Sequence, residues 1–345
     1  MSKALIVGVA GTRLGAKELT FLRETDPCGF ILFARNVASP DQLRALTTEM
    51  RNAVGRPDAP VLIDQEGGRV ARLRAPQGRA APPAAAFGAL ARLNPELGLR
   101  AAALNARLIG AELHALGINV DCAPVCDVPV AGADPIIGDR AFDTEPEPVA
   151  ALAAAFCDGL ESAGVLPVIK HIPGHGRAEV DSHKALPRVR VPHAELAARD
   201  FAPFRTLARR RDPEPWAMTA HVIYEAIDAK APATQSRRVI GDVIRGEIGF
   251  DGVILSDDLS MGALAGPFEE RARLALAAGC DLVLHCNGNL EEMAAVAAGC
   301  GPISATSDAR LARSVGALKP PGDFDFEAAL GELAGLMAPV PGGSA

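Results

Sequence analysis

Residues 170–187 hold three histidines, two lysines and two acids among turn-forming Pro and Gly, a mixture that a solvated loop rarely needs. Asp181 stands two residues before His183, so a carboxylate can orient an imidazole and stabilise its charged form. Histidine titrates near neutrality, so His183 can give a proton and take one back. Asp257 follows the apolar run Val253-Ile254-Leu255 and is placed by it to attack an electrophilic carbon. Asp64, Arg72, Arg140, Lys170 and His171 are the residue types that bind vicinal hydroxyls through charge-assisted hydrogen bonds. Together they fit sugar chemistry, in which one carboxylate attacks an anomeric carbon and a second group protonates the departing oxygen. That second group is usually a carboxylic acid; here the candidate is the Asp181–His183 pair.

Plainer readings stand beside these. Asp258 reads as a helix cap or a group behind the site, Glu66 and Arg69 as partners or braces of their own loop. His175 reads as a hydrogen-bonded turn residue, His221 as a group behind the reacting residues, and Asp127 as the holder of its own loop. His171 and His175 are four apart, but Pro173 and Gly174 forbid the helix that would align them on zinc. Lys170 as a Schiff-base lysine would need a lowered pKa. Cys122 and Cys126 lack a second ligand pair at metal-binding spacing, so no metal is expected.

Residues from such distant parts of the chain share one site only if a regular scaffold gathers them. Strand-like runs at 4–10, 28–34, 60–65, 117–123, 165–170, 216–221, 252–257 and 281–285 alternate with helical patterns near 14–25, 40–54, 95–116, 146–163, 193–211, 235–248, 268–279 and 289–298. Ser39-Pro40-Asp41-Gln42 gives a capping box with Pro in the first turn, and Gly249 closes the 235–248 stretch. Eight strand–helix repeats predict an α/β fold of TIM (β/α)8 type, whose chemistry collects at the strands' C-terminal ends. The competitor, an open doubly wound sheet, lacks its glycine fingerprint: Gly8-Val9-Ala10-Gly11 has the wrong spacing. The expected organisation is a catalytic barrel over 1–300 and a helical tail over 301–345, with helices at 307–318 and 326–337.

Composition narrows the partners. Aromatics are 4% and aliphatics abundant, which suits helices packed on a buried parallel sheet. A net charge of −7 without blocks of like charge argues against nucleic acid, whose phosphates demand a basic face. Arg209-Arg210-Arg211 reads as a favourable helix end. Ser2 and Lys3 lead straight into a strand-like run with no leader pattern, and no stretch reaches about 18 apolar residues, so a cytoplasmic protein off the membrane is expected. Seven scattered cysteines fit buried reduced thiols.

Three segments carry a resemblance. Asp64-Gln65-Glu66-Gly67-Gly68-Arg69-Val70, the 170–187 segment and the 249–261 segment through Leu255-Ser256-Asp257-Asp258 together resemble family 3 glycoside hydrolases, specifically the single-domain bacterial β-N-acetylglucosaminidases of cell-wall recycling. The similarity runs from about residue 5 to residue 300. It implies that Asp257 is the nucleophile, His183 the acid/base and Asp181 its partner, and that Asp64, Arg72, Arg140, Lys170 and His171 bind N-acetylglucosamine. It further implies a retaining exo-enzyme acting on N-acetylglucosaminyl-β-1,4-anhydro-N-acetylmuramic acid, with or without its peptide, in the cytoplasm and without cofactor; a monomer is expected. Ile172 stands where Phe is usual, and Arg177 where a small or acidic residue is more familiar. Other readings remain open: a β-N-acetylglucosaminide phosphorylase of the same family, a Lys170-dependent aldolase, and a sugar-binding barrel without catalysis.

Overall fold

The residues that open and close the elements do so through identifiable contacts. Ser39 caps the helix Pro40–Ala53 by accepting from the Gln42 N–H (3.2 Å), and Leu43, Leu46 and Met50 bury one face of it. The Gln42 side chain returns its bond to the N–H of Ala38 (2.8 Å), one residue earlier than a standard capping box. Gly249 takes φ +75° and lets Phe250 N–H bond Ile244 O (3.0 Å), ending the preceding helix. That helix, Arg238–Glu247, is wound with i→i+5 bonds.

The computed structural model describes residues 2–210 and 213–340. Its strands are β1 (Lys3–Gly8), β2 (Pro27–Leu32), β3 (Val61–Ile63), β4 (Val120–Asp121), β5 (Leu166–Ile172), β6 (Arg188–Val189), β7 (Trp216–Thr219), β8 (Ile223–Tyr224), β9 (Ile254–Asp258) and β10 (Leu282–His285). Eight of them close an all-parallel barrel in the order β1-β10-β9-β7-β5-β4-β3-β2, while β6 and β8 pair separately. This is the (β/α)8-type barrel expected from the repeat pattern. Side chains alternate along the strands, and both faces are buried. Ile6, Ile31, Leu62, Val168, Leu255 and Leu284 form one cluster that fills the barrel, and Leu5, Val7, Phe30, Val61 and Ile63 join the larger cluster beneath the helices.

Several elements differ from expectation. The expected 117–123 strand is described as Val120–Asp121 alone. Val168 and Lys170 still donate to Ala123 O (3.0 Å) and Pro124 O (3.1 Å), but Pro124 has no N–H to return. The expected 193–211 helix is broken into His193–Glu195, the wide turn Leu196–Asp200 and Ala202–Leu207, with Pro203 supplying no N–H at the junction. Helix Ala84–Leu93, whose alanines carry little periodic signal, was not anticipated. Arg210 pairs with Glu161 (2.6 Å) and Asp158 (2.8 Å), tying its segment to helix Pro146–Ser162; Arg211 lies outside the described residues.

Beyond β10, helix Ala305–Ala317 closes the N-terminal end of the barrel. Its Leu311 joins the interior cluster and its Ser314 hydroxyl accepts from the Trp216 indole N–H (2.8 Å). Helix Phe326–Met337 packs through Leu333 and Met337 into the outer cluster. Residues 341–345 of the expected tail lie outside the described ones. Among the described residues no helix is long and apolar enough to cross a membrane.

Candidate active site

The groups delivered by β3, β5 and the loop after β4 meet in an alternating chain of charges. Arg72 bonds Asp64 (3.0 Å), Asp64 bonds Lys170 (2.9 Å), Lys170 bonds Glu66 (2.6 Å), and Glu66 takes both arms of Arg140 (2.8 and 2.9 Å). Local structure explains the convergence. Asp64 and Glu66 leave β3 two residues apart, and Gly67 and Gly68 (φ +99° and +54°) then turn the chain back so that Val70 O accepts from the Glu66 N–H (3.0 Å). The Gln65 amide oxygen holds the N–H groups of Arg72 and Leu73 (2.8 and 3.0 Å), which brings the Arg72 guanidinium over Asp64. Arg69 braces the next loop, bonding Asp139 (2.9 Å) and the Ile136 carbonyl. Arg140, three residues beyond Ile137, is thereby aimed at Glu66.

Burial sets the electrostatics of this chain. Desolvation alone would raise the Asp64 and Glu66 carboxyls, but Lys170 with Arg72 holds Asp64 well below the carboxylate range, and Arg140 with Lys170 holds Glu66 at about 2. Burial would lower Lys170, yet Asp64 and Glu66 raise it. A Schiff-base lysine needs the opposite shift, so the aldolase reading fails on geometry and on charge.

Asp257 lines the same pocket from β9. Its burial works against ionisation, but the His221 and His171 rings and the Asp258 N–H (2.8 Å) keep its carboxyl below the usual range. The next residue does something else. Asp258 turns to accept from Ser260 N–H (3.0 Å), the Ser260 hydroxyl (2.5 Å) and Cys286 N–H (3.2 Å), which fixes the loop after β9. His221 stands behind it, its Nε2 against Asp258 O (3.0 Å) and its Nδ1 against the Thr234 hydroxyl (2.7 Å).

His183 lines the pocket from the loop after β5, with Nδ1 2.8 Å from Asp181. The carboxyl of Asp181 is lowered: slight burial opposes this, and the His183 N–H and ring outweigh it. Asp181 therefore makes Nδ1 the protonated nitrogen and leaves Nε2 for chemistry. The His183 side chain is 61% exposed, against 3% for Lys170.

The structure thus brings Asp64, Arg72, Arg140, Lys170, His171, His183 and Asp257 to one pocket, with Asp181 beside His183. Some readings need correction. Glu66 does not pair with Arg69; it joins Lys170 to Arg140. Asp127 does more than hold its own loop, since it bonds His171 Nδ1 (2.7 Å) and the His175 N–H (2.6 Å). Arg177 turns away from the pocket into a pair with Asp200 (2.7 Å) and Glu195 (2.8 Å), and Ile172 packs in the outer cluster. Phe33, missed because an apolar strand end carries no chemical signal, lines the pocket between the Arg35 and Arg72 guanidinium groups (4.9 and 5.1 Å). The seven cysteines are buried and unpaired.

A family model described as the glycosyl hydrolase family 3 N terminal domain matches residues 7–313. A β-hexosaminidase of Alkalilimnicola ehrlichii is 45% identical over 314 residues, 90% of this chain and 87% of that protein. A β-hexosaminidase of Pseudomonas aeruginosa is 41% identical over 300 residues, 86% of each. Among solved structures, NagZ from Neisseria gonorrhoeae in complex with N-trifluoroacetyl-D-glucosamine superposes with a TM-score of 0.86 at 34% identity, covering 97% of this chain and 98% of that one.

Proposed function

We propose, from the premise that this chain belongs to glycosyl hydrolase family 3 and is a β-hexosaminidase, that it is a retaining exo-β-N-acetylglucosaminidase of cell-wall recycling. The proposed substrate is N-acetylglucosaminyl-β-1,4-anhydro-N-acetylmuramic acid, with or without stem peptide, met in the cytoplasm. The observation that carries the reading is the joint presence in one pocket of Asp257, half-buried and held ionised, and His183, reached through solvent.

In this reading Asp64, Arg72, Arg140, Lys170 and His171 hold the hydroxyls of the terminal sugar. Asp257 attacks the anomeric carbon as His183 Nε2–H protonates the departing oxygen, and the negative Asp181 stabilises the imidazolium's positive charge before transfer. His183 then takes a proton from water, which displaces Asp257 with a second inversion and so net retention. The acid/base is an imidazole rather than a carboxylate, which also favours a second reading: an incoming phosphate anion meets less repulsion there, giving sugar 1-phosphate.

An aryl β-N-acetylglucosaminide assayed beside the matching β-glucoside tests the sugar assignment, and NMR of the first-formed product tests the stereochemistry. Cleavage of the acetamido sugar alone, with the β-anomer released first, is expected. Equal cleavage of both, or the α-anomer first, contradicts the reading. Repeating the assay in phosphate buffer and looking for sugar 1-phosphate separates hydrolase from phosphorylase.

A further inference from the structure

The loop that carries His183 is held from two sides, and both anchors lead to residues with no assigned role. Asp127, fully buried, accepts from the N–H groups of His175 (2.6 Å) and His171 (3.2 Å) while its other oxygen faces His171 Nδ1 (2.7 Å). One carboxylate therefore fixes the whole 171–175 turn. Gly176 completes it: a Cβ there would stand 2.1 Å from Val128 O, so only glycine lets the turn lie this close. From this fixed turn the His175 ring reaches Ser182, Nε2 to Oγ at 3.1 Å, with both residues 3% exposed.

The second anchor comes from the segment after Asp257. Ala263 N–H donates to Ser182 O (3.1 Å) and Gly262 N–H to His183 O (3.2 Å). A Cβ on Gly262 would stand 2.8 Å from His183 O, so this approach also needs glycine. Ser182 thus sits between the turn that presents a sugar-binding histidine and the segment that follows the attacking carboxylate.

We propose that His175 and Ser182, with Asp127 beneath them, are positioning residues that set where His183 stands relative to Asp257. His175 Nε2 and Ser182 Oγ share one hydrogen bond, and which of them donates follows the tautomer of the ring. Burial and the His171 ring push the His175 pKa down to about 4, so the ring stays neutral and the bond persists across the neutral range. The inference rests on the reading of His183 as proton donor.

The test is the first-turnover glycosylation rate of Ser182→Ala on aryl β-N-acetylglucosaminides of rising leaving-group pKa, beside wild type and His183→Ala. A misplaced acid costs most where protonation matters most. Ser182→Ala should lose about 10²-fold on the least acidic phenols and several-fold or less on the most acidic. Ser182→Thr, which restores the hydroxyl, should recover most of the loss, and His175→Gln provides the same comparison from the other partner. A uniform loss across the series, or none, in both Ser182→Ala and His175→Gln overturns the proposal. If His183→Ala itself shows a flat loss, the proton-donor reading fails. A steep His183→Ala series beside flat Ser182→Ala and His175→Gln series removes the positioning role alone.

Discussion

The proposed sugar-binding rim and the proposed acid/base loop share one pocket but are built by opposite means. The rim is a chain of five charges on strand ends and adjoining loops, bonded to one another at 2.6–3.0 Å with Lys170 only 3% exposed. The His183–Asp181 pair sits on a loop, has a single mutual side-chain bond, and leaves the imidazole 61% exposed. Rim charges satisfy each other before any sugar arrives, so binding geometry is prepaid in folding. A proton donor, the role proposed for His183, must instead meet a leaving group that enters from and returns to solvent. Changes at the rim should therefore cost stability and binding together, whereas changes at the dyad should cost chemistry alone.

Lys170→Ala is the strongest way to break that contrast. It strands Asp64 and Glu66 without their shared cation, and losing one member of a buried pair costs about 3–5 kcal/mol of stability. Transition-state binding should fall by about 1.5–3 kcal/mol as well. Denaturant unfolding and kcat/KM on one sample check both. A fully active, equally stable variant would mean that the network is ornamental.

His183→Ala should lose about 10²–10⁴ in rate on a sugar leaving group while its unfolding midpoint moves little. Asp181→Asn should act in the same direction, because it keeps the shape and removes the charge. Arg177→Ala sharpens the comparison further. Its partner Asp200 is buried, and that burial raises its carboxyl to about 6, outweighing Arg177 and Arg199, so the stranded acid can take a proton. A stability loss of about 1–3 kcal/mol with unchanged leaving-group preference is expected. A changed preference would place Arg177 in the pocket after all.

The smallest expected effect is on the pH dependence of stability. The folded-state pKa of Glu66 is depressed to about 2, so its contribution is present above about 4.5 and is lost as pH falls toward 2. The folded-state pKa of His175 is likewise depressed, from 6.5 to about 4. Unfolded chains bind the proton first, so this contribution fades between those values as pH falls. His175→Gln should flatten the slope of unfolding free energy between pH 6.5 and 4 relative to wild type. An unchanged slope there would assign that window to other groups.

The barrel and most of the pocket were legible from residue order because strand periodicity, Gly and Pro punctuation and charged residues at strand ends are local signals. Asp64, Lys170 and Asp257 each follow an apolar run, and the run says where they go. What was not legible depends on partners across the barrel. The position of Glu66 two residues after Asp64 hinted at a shared face, but only the approach of Arg140 across 74 positions of sequence shows what it bonds. Asp127 looked like a loop acid because nothing local shows that His171 and His175 both come to it. Arg177 stood out only as a departure from the family's usual residue, and nothing local shows that Asp200 draws it inward.

The central claim is that Asp257 attacks the sugar, and covalent trapping tests it most directly. The enzyme would be incubated with the 5-fluoro glycosyl fluoride of N-acetylglucosamine, which slows breakdown of the glycosyl-enzyme, then digested and sequenced by mass spectrometry. The account predicts one equivalent of label on Asp257, and none on Asp258, whose oxygens are committed to Ser260 and Cys286. Label on Asp258, or turnover with inversion and no trapped intermediate, would contradict it.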